Sequence, residues 1–471
     1  MRQKIEYQTV LDFQPSNLKL TNEYFEKYER ISEILDQAPE ILDIAHEDLE
    51  EALATVNDGG SDDKTAFKYT SDTVLRVILC RKIEGMSFRQ IVVRIDDSRY
   101  LRRFVRIYDG PMLDFTTLNK LENTIRPETW QTINIALARS AVDAELISGE
   151  RLRLDTTAVE ANIHYPTDSS LLWDCYRVLA RFIEQARDID SDAVGSNRLQ
   201  SRRVKRLHTK ISRAANKKRR RQKKFKSLYK RLLGKVAAVC AWSGSVVNEL
   251  KQGILCDEYP DGDAAAAQYI VAEMEHYIGL AVKVIDQTRR RVLEEEKVPN
   301  DEKIFSIFEP HTELLKRGKA GKDVEFGHMI LIQQVAEKFI TDYDVFEKRP
   351  VEPELLVSAL DSHKRLFRRL PDELAADKGF YKNMKTIKKL EKKIETVSIA
   401  KKGKRTPEEV ERELDPFFRH AQRFRAGVEG TISFLKRVFR LFRVMKRGWE
   451  RFVAEVGATV FTHNLLILAR T

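Results

Sequence analysis

Three acidic residues, far apart along the chain, stand in settings that suit shared chemistry. In RLRLDTTAVEANIH (151–164), Leu152 and Leu154 alternate with Arg151 and Arg153 until Asp155. That period of two predicts a short half-buried strand. It delivers one carboxylate at the strand's end, on the face opposite the leucines. ELAADKGFY (373–381) predicts a second strand, ending at Asp377 ahead of a turn at Gly379. QRFRAGVEGTISFLK (422–436) predicts a helix. At about 100° per residue, Gln422, Arg425, Glu429 and Lys436 fall on one face. Phe424, Val428, Ile432, Leu435, Phe439 and Phe442 form an apolar stripe beside it. Such a helix can pack on a sheet and aim Glu429 along the sheet edge. Arg425 and Lys436 then flank the acid, placed to meet phosphates.

Three carboxylates from three elements suit phosphoryl transfer on DNA. A phosphodiester is anionic and repels nucleophiles; two Mg²⁺ ions roughly 3.5–4 Å apart activate one oxygen and stabilise the other. Mg²⁺ takes hard oxygen ligands and few of them. Singly, each acid has a plain structural alternative. Asp155 could cap a turn, Asp377 could start one, and Glu429 could pair with Arg425 at i,i+4. The conjunction of all three, with basic residues beside the helical acid, carries the argument.

The rest of the chain must position these groups. Its 471 residues suffice for two or three domains, and 42% hydrophobic with 33% charged residues marks a charge-rich globular protein. A net charge of +11 favours a polyanionic partner. Fifteen Lys or Arg and no Asp or Glu occupy 201–230, SRRVKRLHTKISRAANKKRRRQKKFKSLYK. A one-signed run repels itself unless a polyanion neutralises it, so Lys217, Lys218, Arg219, Arg220, Arg221, Lys223 and Lys224 are candidate DNA contacts; a solvated arm is the alternative. The four cysteines lack CxxC spacing and read as buried reduced thiols. The amino-terminal residues carry no signal-peptide core, and no stretch of about 18 apolar residues predicts a membrane span. A cytoplasmic, nucleoid-associated protein is expected.

Residues 71–85 predict a helix with Ser71 as cap and Gly85 as stop, and Ser87 caps a second over 88–95. That outline is a helix-turn-helix or an ordinary helical hairpin. Arg81, Arg89, Arg94, Arg99, Arg102 and Arg103 surround it, Arg89 at the start of the second helix. Residues 117–148 predict two helices split near Pro127. LLWDCYRVLARFIEQARDI (171–189), capped by Asp168 or Ser169, and 262–297 predict long helices. GKAGKD (318–323) reads as a flexible basic loop, 324–332 with 339–348 as a hairpin, and 396–400 as a short strand.

LDTTAVEANIHYPTDSSLLWD, GKAGKDVEFGH, AADKGFY and RAGVEGTISFLKR, in this order, resemble the bacterial insertion-sequence transposases of the DDE type, most of all the subgroup called ISNCY. The likeness spans roughly 70–471, including FTHNLLILAR (461–470). It implies an α/β fold: an RNase H-like catalytic core, a mixed sheet flanked by helices, interrupted by a large helical insertion and preceded by an all-α helix-turn-helix-like domain. The implied divisions are 1–150 for DNA binding, 151–166 and 304–471 for the core, and 167–303 for the basic insertion. Asp155, Asp377 and Glu429 would be the DDE triad. The family's signature places a tyrosine, arginine, glutamate and lysine on the last helix; Arg425, Glu429 and Lys436 match, and Gln422 stands where the tyrosine would be. The resemblance implies two Mg²⁺ (or Mn²⁺) ions and cutting at transposon ends, with joining of the freed 3′-hydroxyl to target DNA. The implied partners are double-stranded DNA, as terminal inverted repeats and target, and a second copy in a dimer or larger synaptic assembly. Two alternatives stay open: an RNase H-like nuclease that does not join, and a non-catalytic, domesticated DNA-binding protein.

Overall fold

The computed structural model describes residues 4, 18–57, 69–215, 222–319 and 322–470. They form two compact units, 1–161 with 328–471, and 162–327.

The first unit opens with α1 (Lys19–Gln37), α2 (Pro39–Asn57), α3 (Ser71–Ile83), α4 (Phe88–Asp97), α5 (Arg99–Phe104), α6 (Phe115–Glu122) and α7 (Pro127–Asp143). Ser71 is not the cap of α3. Thr70 is extended and its hydroxyl accepts from Thr73 N at 3.1 Å, while Ser71 is buried inside the first turn. Gly85 turns the chain at φ +60°, and Ser87 with Gln90 forms a capping box at the start of α4. Arg81, Lys82 and Lys446 meet Glu122 and Glu455 in a buried cluster that ties α3 and α6 to the C-terminal helix. Burial pushes the Glu122 carboxyl up, but the surrounding cations outweigh it and hold the group at about 2. Buried charges of this kind persist when mutually paired.

β1 (Arg151–Glu160) follows. It is longer than its sequence suggests, so Asp155 lies mid-strand. The pairing partner ends there instead: β5 (below) pairs in parallel from Arg151↔Glu373 to Leu154↔Ala376.

The second unit is a helical bundle: α8 (Asp168–Ile189), α9 (Ser191–Val194), α10 (Ser201–Ala215), α11 (Gln222–Leu255) and α12 (Asp261–Thr288). Thr167, not Asp168 or Ser169, caps α8. Leu172, Leu179, Ile183, Val204, Leu232 and Met274 are among its buried core residues. α12 stops short of 297 in a π-helical turn, Arg289–Leu293, where Arg290 pairs with Glu296 and Glu302. β2 (Glu313–Lys319) pairs antiparallel with the opening of β3 (Lys322–Val335). The expected loop at 318–323 is therefore mostly strand; of it, only 320 and 321 lie outside the described residues. Cys80, Cys175 and Cys240 are buried thiols, but Cys256 is exposed just beyond the end of α11.

β3 continues into the first unit, followed by β4 (Ile340–Phe346), α13 (Leu355–Phe367), β5 (Glu373–Ala376), α14 (Met384–Glu391), β6 (Thr396–Ile399), α15 (Pro407–Leu414), α16 (Pro416–Arg437) and α17 (Trp449–Leu468). The sheet runs β3-β1-β5-β6, with β4 antiparallel to β3 and with β1, β5 and β6 mutually parallel. It is a mixed sheet flanked by helices. Leu152, Leu154, Leu374, Ala376, Val397 and Ile399 turn one face to Leu356, Ala359 and Leu360 of α13 and Ile387 of α14. Alternation sends Arg151, Arg153 and Asp155 to the opposite face, where α16 packs. At the outer edge of β6, the Arg412 guanidinium donates to the carbonyls of Val397 and Ile399 and is itself held by Glu391. Among the described residues no helix is long and apolar enough to cross a membrane.

Candidate active site

Asp155 and Asp377 each follow directly on the last registered pair of β1 and β5, Leu154 and Ala376. In parallel neighbours, residues in register project to the same side. The two aspartates therefore stand side by side on the face covered by α16, at the carboxyl end of β5. In open sheets this is where ligands are received.

A polar seam seats α16 on that face. Arg153 is 4% exposed; its Nε donates to Gln334 Oε1 and its Nη1 to the Phe424 carbonyl, both at 2.8 Å. Gln334 Nε2 donates to Thr431 Oγ1 at 2.8 Å. The Phe424 ring lies under both the Arg151 and Arg153 guanidinium groups. Burial lowers the Arg153 guanidinium to about 10, and neighbouring Arg151 adds to the effect. Gly427 leaves room for this arginine, since a methyl there would overlap its guanidinium. The expected apolar stripe is shorter than drawn: Val428 and Leu435 are buried, but α16 ends at Arg437, so Phe439 and Phe442 lie beyond it, Phe442 exposed.

So seated, α16 brings Arg425 to Asp155, Nη1 lying 3.6 Å from Asp155 Oδ2. Arg425 Nη2 donates to Glu429 Oε1 at 2.8 Å. Thr156 N donates to Asp155 Oδ1 at 2.8 Å. Burial pushes the Asp155 carboxyl up to about 6; Arg425 pulls down, and Asp377 and Glu429 push further up. Both other acids thus act on the charge of Asp155. Asp377 is exposed at the head of a single 3₁₀ turn, and the Glu429 side chain is 63% exposed. Among the described residues, no three His, Cys, Asp or Glu side chains are drawn closely enough together to hold a metal ion. Arg425 supplies the positive charge between Asp155 and Glu429.

Two residues expected at phosphates serve the scaffold. Gln422 Nε2 donates to the Ser398 carbonyl at 2.8 Å and to Ser398 Oγ at 2.9 Å, fastening α16 to β6. Lys436 Nζ donates to the Ala158 carbonyl at 2.6 Å, fastening it to β1. Their i−7 and i+7 spacing about Glu429 is what lets them pin the helix on either side of the acid. Arg89 is exposed, its guanidinium 4.6 Å from the centre of the Phe115 ring. Arg81, Arg102 and Arg103 are paired internally with Glu122, Asp96 and Glu29. Lys217, Lys218, Arg219, Arg220 and Arg221 lie outside the described residues; Lys223 and Lys224 fall in the first turn of α11. Glu352, which no sequence signal marks, also reaches the middle of β1, at Thr156. PVEPE shows only a proline-marked helix start, and nothing in it signals a contact with residue 156.

Residues 293–465 match the model of a family described as "Transposase DDE domain". The match contains Asp377 and Glu429; Asp155 precedes it. No curated protein and no solved structure matches the chain. The matched residues, which include β5, α16 and the acids they carry, are thus similar to the DDE domain of transposases.

Proposed function

We propose that this protein is a DNA transposase that cuts at transposon ends and joins the freed 3′-hydroxyl to target DNA, with Asp155, Asp377 and Glu429 as its triad on an RNase H-like core. What supports the reading is that Asp155 and Asp377 each directly follow the last registered pair of two parallel strands, and that Glu429 on α16 shares the Arg425 guanidinium with Asp155.

The donor types suit a hard divalent cation, since all three groups are carboxylates. The guanidinium held by Asp155 and Glu429 marks the same spot as one that demands positive charge. Asp155, Asp377 and Glu429 would hold Mg²⁺ or Mn²⁺, two ions by family likeness. Such ions supply Lewis-acid stabilisation of the phosphoryl oxygens and lower the pKa of a bound water or 3′-hydroxyl. The chain's own residues do the rest. Arg425 neutralises Asp155 and Glu429 before loading and is long enough to turn to a phosphate afterwards. Gln422, Arg153 and Lys436 keep α16 in register on the sheet, which fixes where Glu429 emerges.

DNA is the substrate this charge distribution suits. Arg202, Arg203, Lys205, Arg206, Lys210 and Arg213 are exposed on α10, while Val204, Leu207 and Ile211 anchor its other face in the bundle. With the 217–224 run they would contact backbone phosphates of end or target DNA. The α3–Gly85–α4 unit, with Arg89 on its second helix, would read the terminal repeats as a helix-turn-helix, in a homodimer or larger synaptic assembly.

The test is a pair of assays on DNA bearing the repeats that flank the coding region, with Mg²⁺. Asp155→Ala should abolish nicking while leaving DNA binding near the parental value; parental nicking would overturn the triad. A pre-cleaved end with a free 3′-hydroxyl should be joined to target; nicking without joining would make the protein a nuclease.

A further inference from the structure

Glu352 opens a 3₁₀ turn, Glu352–Glu354, just ahead of α13. Its Oε1 accepts a hydrogen bond from Thr156 Oγ1 at 2.9 Å. Its Oε2 lies so close to Gly379 that a Cβ on that residue would overlap it. Thr156 directly follows Asp155, and Gly379 comes two residues after Asp377. One carboxylate therefore touches both chain segments that carry the aspartates.

We propose that Glu352 is a positioning residue that sets the separation of Asp155 and Asp377, and through it the affinity for divalent metal. The inference rests on the metal-site reading above.

The physical need for such a tie follows from the register. Ladder pairing between β1 and β5 ends at Leu154↔Ala376, one residue short of both acids. Beyond it, β1 runs on and β5 gives way to a single 3₁₀ turn, Lys378–Phe380. A strand exit held by one short turn has few backbone constraints of its own. Mg²⁺ demands ligand distances near 2.0–2.1 Å in near-octahedral geometry, so a few tenths of an ångström between the carboxylates matter. Groups that orient metal ligands from outside the coordination sphere typically contribute 10- to 100-fold in affinity. Glu352 has that placement, anchored at the other end by α13, whose Leu356, Ala359 and Leu360 are packed in the core with Leu152 and Leu154. Gly379 has no positive φ to demand glycine. What it provides is the space that admits the Glu352 carboxylate.

The experiment is an Mn²⁺ titration of the full-length protein, free Mn²⁺ being read by electron paramagnetic resonance, with thermal unfolding recorded alongside. Glu352→Ala and Thr156→Val should each raise the Mn²⁺ Kd by about tenfold. Glu352→Gln, which keeps an acceptor for Thr156, should stay within about threefold of the parent. Gly379→Ala should reproduce the Glu352→Ala loss, and the double variant should lose little more than either single one. Thr156→Val preserves shape and strand preference, so it answers the question even where Glu352→Ala unfolds. Parental Kd in both Thr156→Val and Glu352→Ala overturns the proposal. Asp155→Ala separates the two claims. If it abolishes Mn²⁺ binding while the Glu352 and Thr156 variants bind normally, the positioning role alone is wrong. If it binds Mn²⁺ like the parent, the metal site and the positioning role fall together.

Discussion

Arg425 joins Asp155 and Glu429 through one guanidinium, 3.6 Å from Asp155 Oδ2 and 2.8 Å from Glu429 Oε1. Asp155 is pushed up by burial and by two neighbouring acids, and Arg425 is what offsets this. Arg425→Ala should therefore raise the Asp155 pKa further, by about one unit. The acidic limb of the nicking pH profile should move up by that amount, with a loss of about twofold at pH 7 that approaches tenfold well below pH 6. An acidic limb that does not move would show that Arg425 leaves Asp155 unaffected.

The same shift makes Asp155 a liability to the metal-free fold. Its carboxyl titrates near 6 in the native chain and about 3.9 when unfolded. A group with its native pKa raised stabilises the fold below its unfolded pKa, and that contribution is lost as pH rises through the native value. Asp155→Asn should thus raise the melting temperature of the metal-free protein above about pH 6, by up to roughly 3 kcal/mol of stability. The gain should vanish below about pH 4. Calorimetry in chelator across this range measures it, and a gain independent of pH would contradict the linkage.

Gly427→Ala reverses the usual rule for helices. Alanine favours an exposed helical position by about 1 kcal/mol, but here its methyl would overlap the Arg153 guanidinium. Overpacking costs about 1–3 kcal/mol, and moving Arg153 also strands its bonds to Gln334 and the Phe424 carbonyl. The net effect should be a lower melting temperature and weaker nicking, because α16 carries Glu429. A melting temperature at or above the parental one would show that Arg153 yields without cost.

Neutralising Lys217, Lys218, Arg219, Arg220 and Arg221 together should weaken DNA binding across all sequences. Each lost phosphate contact should flatten the slope of log K against log salt by about 0.9. Fluorescence anisotropy at several salt concentrations gives the slope. The parental slope in the neutralised variant would mean that the run makes no phosphate contacts.

Much of the sheet and of α16 was legible because their signals are local. Alternation at Leu152 and Leu154 fixed the face of Asp155, and the three-, four- and seven-residue spacings on α16 put Arg425 and Glu429 together. What stayed hidden depends on contacts between distant segments. Asp155 looked like a strand end because polar Thr156 and Thr157 follow it; β1 runs on to Glu160 as the neighbour of β3, and its last residue bridges Arg443. Gln422 and Lys436 looked free for phosphates, yet each is bound to a strand carbonyl that no spacing rule reveals. Glu352 showed no periodicity at all. Its contact with Thr156 joins residues 196 positions apart.

The two bonds from Arg412 to Val397 and Ile399 reach past their own neighbourhood. Outward-facing carbonyls on a terminal strand invite another polypeptide to add itself on, the usual route to uncontrolled stacking. With a guanidinium already seated there, that border of the molecule offers little main-chain grip. A second copy meeting this flank would find side chains there rather than open backbone.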